Sequence, residues 1–359
     1  MSRRWTIARA ARYGRALSRW GRLALHPQAG EDVRVFYGWD LVPGEGEPVA
    51  GGTVKIQLLA SRFPNRPTDF SVLYLGSSYL PRDLRPLMWA SKRRGAAVVV
   101  NQNGVGYPGW AGDRTEAVNR PQRRAIRGAD HVLYQSAFAK DSADIFLGEP
   151  RGEWEILHNA VDVARFKPVE PPSGAPTLLL GGDQTQAYRL DVGLRTLAAV
   201  RRSQPDASLI VSGRLVSDPE PLIRELGLAG AVEFVGRYAQ RDAPDVYRRA
   251  HVLLHPKVND PCPSTVLEAM ASGVPVVYAA SGGTIELVGN DAGIGVRHPV
   301  SWERDEPPDP EALADAVGRV LDALDSYAGA ARRRAVERFS LEPWLDRHEQ
   351  LFAQLLART

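Results

Sequence analysis

The chain holds a single cysteine, Cys262, among 359 residues. One thiol cannot close an internal disulfide, so a disulfide-stapled fold is excluded and a reducing compartment is expected. No apolar run approaches the ~20 residues that cross a bilayer as a helix. The opening MSRRWTIARAARYG has no continuous apolar stretch of signal-peptide length. No two aspartates are separated by one residue, so the Asp-x-Asp device that holds a divalent ion under phosphates is missing. A G-x-x-x-x-G-K-[ST] loop is missing too, which excludes P-loop phosphoryl transfer. Acid is absent from one stretch: residues 1–30 carry seven arginines and no carboxylate. Removing those seven from the 45 basic residues leaves 38 against 42 acidic ones, a body of net charge −4. A basic tail on an acidic body points to a phosphate-rich surface, and an acidic body excludes a reader of duplex nucleic acid.

What is present is an ordinary globular composition, 44% hydrophobic and 24% charged, at a length that fits about two domains. Short β-branched runs alternate with longer amphipathic ones. Strands are predicted at Val33–Trp39, Phe70–Leu75, Ala96–Val100, His131–Gln135 and Trp154–Leu157. Helices are predicted at Thr53–Phe63, opened by Gly51 and Gly52, and at Leu84–Arg94, Pro121–Gly128 and Phe138–Phe146. Pro168–Pro176 (PVEPPSGAP) can continue neither a helix nor a central strand and reads as a linker. The alternation then restarts, with strands at Thr177–Leu180, Ser208–Val211, Val232–Val235, Val252–Leu254, Val274–Tyr278 and Gly293–Val296. Pro310–Ala330 and Leu341–Leu356 read as helices. The pattern is α/β: two doubly wound parallel-sheet domains in tandem, whose ligands bind at the carboxyl ends of the strands and in the cleft between domains.

GVGYPG at Gly104–Gly109 matches G-x-G-x-x-G after a strand, but no helix follows at once. The dinucleotide fingerprint needs that helix, so a glycine-rich loop over the cleft is expected instead. His251 and His255 bracket a strand, where residues four apart are widely separated, so packing roles are expected. The richest stretch is Asn259–Gly289, NDPCPSTVLEAMASGVPVVYAASGGTIELVG. A helix opening at Ser264 offers free amides at Ser264, Thr265 and Val266, an anion site. Asp260 and Glu268 are spaced D-x7-E around that terminus, and a Gly282-Gly283 turn and Glu286 follow.

These motifs resemble the retaining glycosyltransferases of family 4, which have the GT-B fold. The resemblance rests on Asp260-x7-Glu268, ASGVPVV and GGTIE in register, with weaker matches at HNAVDVARFKP, VEFVGRY, VAGGTVK and LLLGGDQTQAYRLDVGLRTL. Asp260 stands where most members have Glu, and Asp183 occupies the place of an arginine, leaving Arg189 as the candidate for the neighbouring cation. Asn101, Gln102 and Asn103 stand where many members carry a histidine.

The resemblance implies a tail over 1–30, Rossmann-like domains over 31–168 and 175–340, and a last helix over 341–359 that crosses back to the first domain. It implies catalytic roles for Asp260, Glu268 and Arg189. Donor contacts are expected from Gly182, Gly236, Arg237, Tyr238, Ser264, Thr265, Val266, Gly282, Gly283 and Glu286. An acceptor cleft is expected at Gly51, Gly52, Asn101, Gln102, Asn103 and Asn159. The expected reaction takes a sugar from a nucleotide diphosphate sugar to a glycan or lipid-linked acceptor, with retention and with neither metal nor cofactor. The alternatives are a nucleotide-sugar 2-epimerase and a non-catalytic binder of sugar nucleotides. Read as a helix, the tail places Tyr13, Leu17, Trp20 and Ala24 on one stripe and Arg12, Arg15, Arg19 and Arg22 on another. That suits an anionic membrane surface, met through residues 3–25 by a cytoplasmic protein held on the inner face; the alternatives are docking on the protein's own first domain and a disordered arm.

Overall fold

The computed structural model describes residues 20–21, 23–25, 32–44, 46–49, 51–169 and 173–358. The first sheet pairs β1 (Val35–Phe36), β2 (Val72–Gly76), β3 (Ala97–Gln102), β4 (His131–Tyr134) and β5 (Glu153–Ile156) in that order, all parallel. The run AVVVNQ of β3 is buried along its whole length, as a β-branched strand covered on both faces should be. One face packs on α2 (Leu84–Arg93), α3 (Thr115–Gly128) and α4 (Ala137–Phe146) through Leu87, Ile126 and Ala143. The other packs on α1 (Gly51–Arg62) through Ile56 and Leu59.

Two predicted elements differ. Only Val35–Phe36 of the expected first strand pairs, because Gly38 turns at a φ of 82° and leads the chain off the sheet edge. Helix α3 starts at Thr115 and carries Pro121 inside it. Burial of Asn119, Gln122, Ala125 and Ile126 on one face outweighs the lost backbone bond.

The second sheet contains β6 (Thr177–Leu180), β7 (Ser208–Ser212), β8 (Val232–Gly236), β9 (Val252–His255), β10 (Val276–Ala279) and β11 (Gly293–Val296). Its order, β11-β10-β9-β6-β7-β8, is the 3-2-1-4-5-6 order of doubly wound nucleotide-binding sheets read from the other edge. Strand order reverses between β6 and β9, which opens a crevice at their carboxyl ends. Helices α5 (Ala187–Val200), α6 (Ser264–Ala271) and α7 (Thr284–Val288) follow β6, β9 and β10. The helical end is not one helix from Pro310 to Ala330. It divides at Ala323 into α8 (Pro310–Asp322) and α9 (Leu324–Phe339). Helix α10 (Leu341–Leu356) crosses back and buries Trp344, Leu345 and Phe352 against Tyr37, Phe63 and Tyr74 of the first domain.

Of the tail's apolar stripe, Trp20 and Ala24 are described, and Tyr13 and Leu17 lie outside the described residues. Trp20 is 2% exposed, packs on Phe36 and donates from Nε1 to Asp83. This end of the tail docks on the first domain.

Candidate active site

The loop from β9 to α6 carries Asp260. Asn259 sits at a φ of 52°, a left-handed conformation that asparagine tolerates better than most residues. The Gly282-Gly283 turn presses against this loop. A Cβ at Gly282 would lie 2.5 Å from the Asp260 carbonyl, and one at Gly283 would lie 2.0 Å from the Pro261 carbonyl. The Gly283 N–H donates to the Asp260 carbonyl at 2.9 Å. The two glycines therefore position the acid.

The Asp260 carboxylate is buried, with Lys257 Nζ at 2.9 Å and His255 Nε2 at 3.4 Å. Burial opposes its ionisation, but Lys257 and His255 outweigh that and hold the carboxyl well below the usual range. Burial also lowers the pKa of His255. His251 behaves as expected and accepts from the Thr177 N–H at 2.9 Å. His255 does not merely pack: its Nε2 lies 3.4 Å from the Asp260 carboxylate, beside Lys257. Strand alternation gave no hint of this, because the partner comes from the following loop.

Glu268, one turn into α6, accepts from the Tyr247 hydroxyl at 2.6 Å and the Gln240 amide at 2.8 Å. Burial raises its pKa against these two bonds. A pocket of about 120 Å³ brings Glu268 together with Gly51, Gly182, Arg237, Tyr238 and Thr265. Ser264 and Asp183 line it as well. Gly182 and Gly236 take φ values of 82° and 65° and turn the chain out of β6 and β8 at its rim. Asp183 pairs with Arg237 and accepts the Arg214 N–H at 2.8 Å, so the acid in the arginine's place neutralises a neighbouring cation.

Three expected contacts fall elsewhere. The Arg189 guanidinium is buried and donates to the carbonyls of Asp183 at 2.6 Å and Gly181 at 2.8 Å, bracing the loop after β6 instead of facing the crevice. The Val266 N–H is not free: it closes the first turn of α6 on the Pro263 carbonyl at 3.1 Å. Glu286 reaches across the cleft and accepts the N–H groups of Ala137 at 2.9 Å and Phe138 at 3.0 Å, with His158 Nε2 at 3.1 Å. A carboxylate at the N-terminus of α4 is favoured by the helix dipole, so Glu286 ties the two domains together.

On the first domain's side, Lys55 of α1 is buried without a carboxylate partner among the described residues. Its Nζ donates to Asn101 Oδ1 and Asn103 Oδ1, both at 2.8 Å. Gln135 donates to the same two oxygens, and Asn159 donates to Gln135 at 3.2 Å and to the Cys262 carbonyl at 2.9 Å. Burial lowers the Lys55 pKa to about 7. Gln102 turns away to Gln122 at 2.7 Å. Gly52 is required where it stands, since a Cβ would lie 2.1 Å from Ser78 Oγ. Lys55 went unnoticed in the sequence; the signal available was a lysine one turn after Gly51-Gly52 and a polar NQN ending an apolar strand.

Between these walls lies a cavity of about 530 Å³, lined by Ser77, Ser78 and Tyr107 from one domain and Lys257, Asn259 and Trp302 from the other. The GVGYPG loop packs across this boundary. Cβ atoms at Gly104 and Gly109 would lie 3.1 Å from Pro261 and 2.9 Å from the Arg304 backbone. Among the described residues no group of three His, Cys, Asp or Glu side chains gathers as metal ligands.

The second domain's wall of this crevice lies within a segment that known proteins share. Residues 175–323 match the family model "Glycosyl transferases group 1". The second domain is a group 1 glycosyltransferase domain. The chain is 28% identical over 243 residues to glycogen synthase of Mycobacterium tuberculosis, covering 65% of this chain and 56% of that protein. It is 30% identical over 252 residues to D-inositol 3-phosphate glycosyltransferase of Salinispora tropica, covering 62% and 50%. The chain thus spans about half the length of the curated relatives it matches. In fold it is similar to HepE of Anabaena, solved in complex with UDP-glucose, at a TM-score of 0.70 and 17% identity, covering 91% of this chain and 100% of that one. It is also similar to sucrose-phosphate synthase of Thermosynechococcus elongatus, at 0.65 and 21%, covering 86% and 78%. Both domains and their cleft follow the GT-B architecture.

Proposed function

We propose that this protein transfers a sugar from a nucleotide diphosphate sugar to a glycan or lipid-linked acceptor, with retention and without a metal ion. One observation carries the reading: Glu268, the helix terminus at Ser264 and Thr265, Gly182 after β6, and Arg237 and Tyr238 after β8 line one pocket beside the strand-order reversal. A carboxylate beside amides at a helix terminus suits ribose hydroxyls joined to a diphosphate. Glu268 binds the ribose in this reading, and the α6 amides meet the charge that builds on the departing diphosphate. Asp260 serves the sugar in this reading, from a loop whose Lys257, Asn259 and Pro261 line the larger cavity. With Arg189 committed to backbone carbonyls, Lys257 is the cation that lines that cavity. Asn101, Asn103 and Asn159 order the acceptor wall through Lys55 and Gln135.

The protein acts in the cytoplasm at the inner face of the membrane in this reading, a position supported by the seven arginines before residue 23. No described helix is long and apolar enough to cross a membrane. A second reading, a binder of sugar nucleotides without transfer, is favoured by Asp183 in place of the expected cation and by the engagement of Arg189.

Transfer from a panel of nucleotide sugars, with and without acceptor glycans and with excess chelator, tests the proposal. Product of unchanged anomeric configuration should form in chelator. Loss of transfer on chelation with rescue by manganese, or an inverted product, would refute it. Nucleotide binding without transfer to any acceptor selects the second reading.

A further inference from the structure

Helices α2 and α3 lie side by side on the first domain. Arg85, Trp89 and Lys92 stand at i, i+4 and i+7 on α2, and Arg124 and Arg127 at i and i+3 on α3, so each helix presents one stripe. Arg151, from the loop before β5, joins them around a groove of about 470 Å³. All six side chains are exposed. Among the described residues Arg85, Arg124, Arg127 and Arg151 have no carboxylate partner. Lys92 alone is paired, with Asp130 at 2.8 Å. Like charges held together cost free energy, and among the described residues only Lys92 is neutralised by a carboxylate within this cluster. Trp89 stands among them with 54% of its surface in water. The groove also lies where the tail joins the fold, since Trp20 donates to Asp83 at the head of α2.

We propose that the groove between α2 and α3 is the docking surface for an anionic phospholipid bilayer. The inference rests on the peripheral-membrane reading above for the kind of surface, and it moves the contact. Trp20 and Ala24 of the tail's apolar stripe are buried in the protein's own core, so these two side chains do not reach lipid. The groove offers an exposed tryptophan among arginines instead. Its arginines fit lipid phosphates, and Trp89 fits the headgroup level, where an amphipathic ring is favoured. A nucleic-acid duplex would use the arginines but leave Trp89 unexplained.

Co-sedimentation of the full chain with phosphatidylglycerol and with phosphatidylcholine vesicles tests this. The protein should pellet with the first and stay in solution with the second, and added salt should release most of it. Replacing Arg85, Arg124, Arg127 and Arg151 by Gln should weaken vesicle affinity at least about tenfold, since each basic side chain near an anionic surface adds to binding. Trp89→Ala should instead lower the part of binding that survives high salt. An unchanged melting temperature in each variant shows that the fold is intact. The proposal is overturned if the four-Gln variant pellets like its parent while Gln at Arg3, Arg4, Arg9, Arg12, Arg15 and Arg19 abolishes pelleting. It is equally overturned if both vesicle types bind alike, or if a DNA duplex is bound more tightly than the anionic vesicles. Nucleotide binding is measured in parallel. Its absence beside the expected sedimentation refutes the donor reading and leaves this one standing.

Discussion

Glu268 is a buried acid whose two oxygens are held by Tyr247 and Gln240, so a donor must meet a carboxylate already fixed in direction. Glu268→Gln keeps the shape and removes the charge. Hydrogen bonds to charged groups contribute ~1.5–3 kcal/mol, so nucleotide affinity should fall about tenfold or more in calorimetric titration. Asp260→Asn should lower turnover more than affinity for the free nucleotide if Asp260 serves the sugar as proposed, and it also leaves Lys257 without its counter-charge. Equal binding and turnover in both variants would place the site elsewhere. Spacing in the sequence exposed these two acids because D-x7-E is local. It could not expose Lys55, whose partners at Asn101 and Asn103 come from another element. That lysine carries its own prediction. Its folded pKa of about 7 lies below the ordinary 10.5, so between those values the unfolded chain binds more protons and stability rises with pH. Below pH 7 the full cost of a buried charge remains, on the order of a few kcal/mol. Relative to its parent, Lys55→Met should therefore be most stable near pH 6 and lose ground towards pH 9 in urea titrations. A difference that does not change with pH would mean that Lys55 is not buried as a titrating amine.

At the scale of elements, what could be read from sequence follows how local the forces are. The second sheet was legible strand by strand, because runs such as TLLL and VVYA are buried and bounded by glycine or proline. Helix α3 was cut short at Pro121 because local propensity disfavours an interior proline, whereas its length is decided by the face it buries on β3. Glycines divide in the same way. Gly283 is held against Pro261 and Ser136, where its added Cβ would lie 2.0 Å and 2.7 Å away. Gly318, inside α8, has nothing within 4 Å of its added Cβ. Gly283→Ala should cost about 1–3 kcal/mol by forcing the turn off the Asp260 loop, and donor affinity should fall with it. Gly318→Ala should gain about 0.5–1 kcal/mol, the helix propensity difference, with donor affinity unchanged. Chemical denaturation and donor titration of the two variants check both halves. If Gly283→Ala binds donor like its parent, the turn does not position the acid.

The whole molecule is two domains joined by more than their linker, and this level was least legible, since every contact spans more than a hundred residues. The order of motifs gave the returning α10 and the cleft but not the fastenings across it. Glu286 binds the amides at the head of α4. Trp302, on the loop after β11, stacks on Phe138 at 5.5 Å and meets Tyr107 and Phe146 edge-on at 5.2 Å and 5.3 Å. Its carbonyl accepts the Gly109 N–H at 2.8 Å. These contacts hold the first domain against the second, and the smaller pocket is a joint structure: Gly51 and Val54 come from one domain and Thr265 and Glu268 from the other. Cooperative unfolding should depend on them, since domains with few cross-contacts melt independently. The wild-type chain should show one calorimetric transition. Combining Glu286→Ala with Trp302→Ala should split it into two, because the variant loses both a charge held by helix amides and an aromatic wedge while each sheet keeps its own core. Glu286→Ala alone separates the two readings of that acid. As an interdomain tie it should broaden the transition and weaken donor binding only modestly, through the looser pocket. As a direct donor ligand it would cost tenfold or more in donor affinity and leave the transition unchanged, and that result would return Glu286 to the donor site.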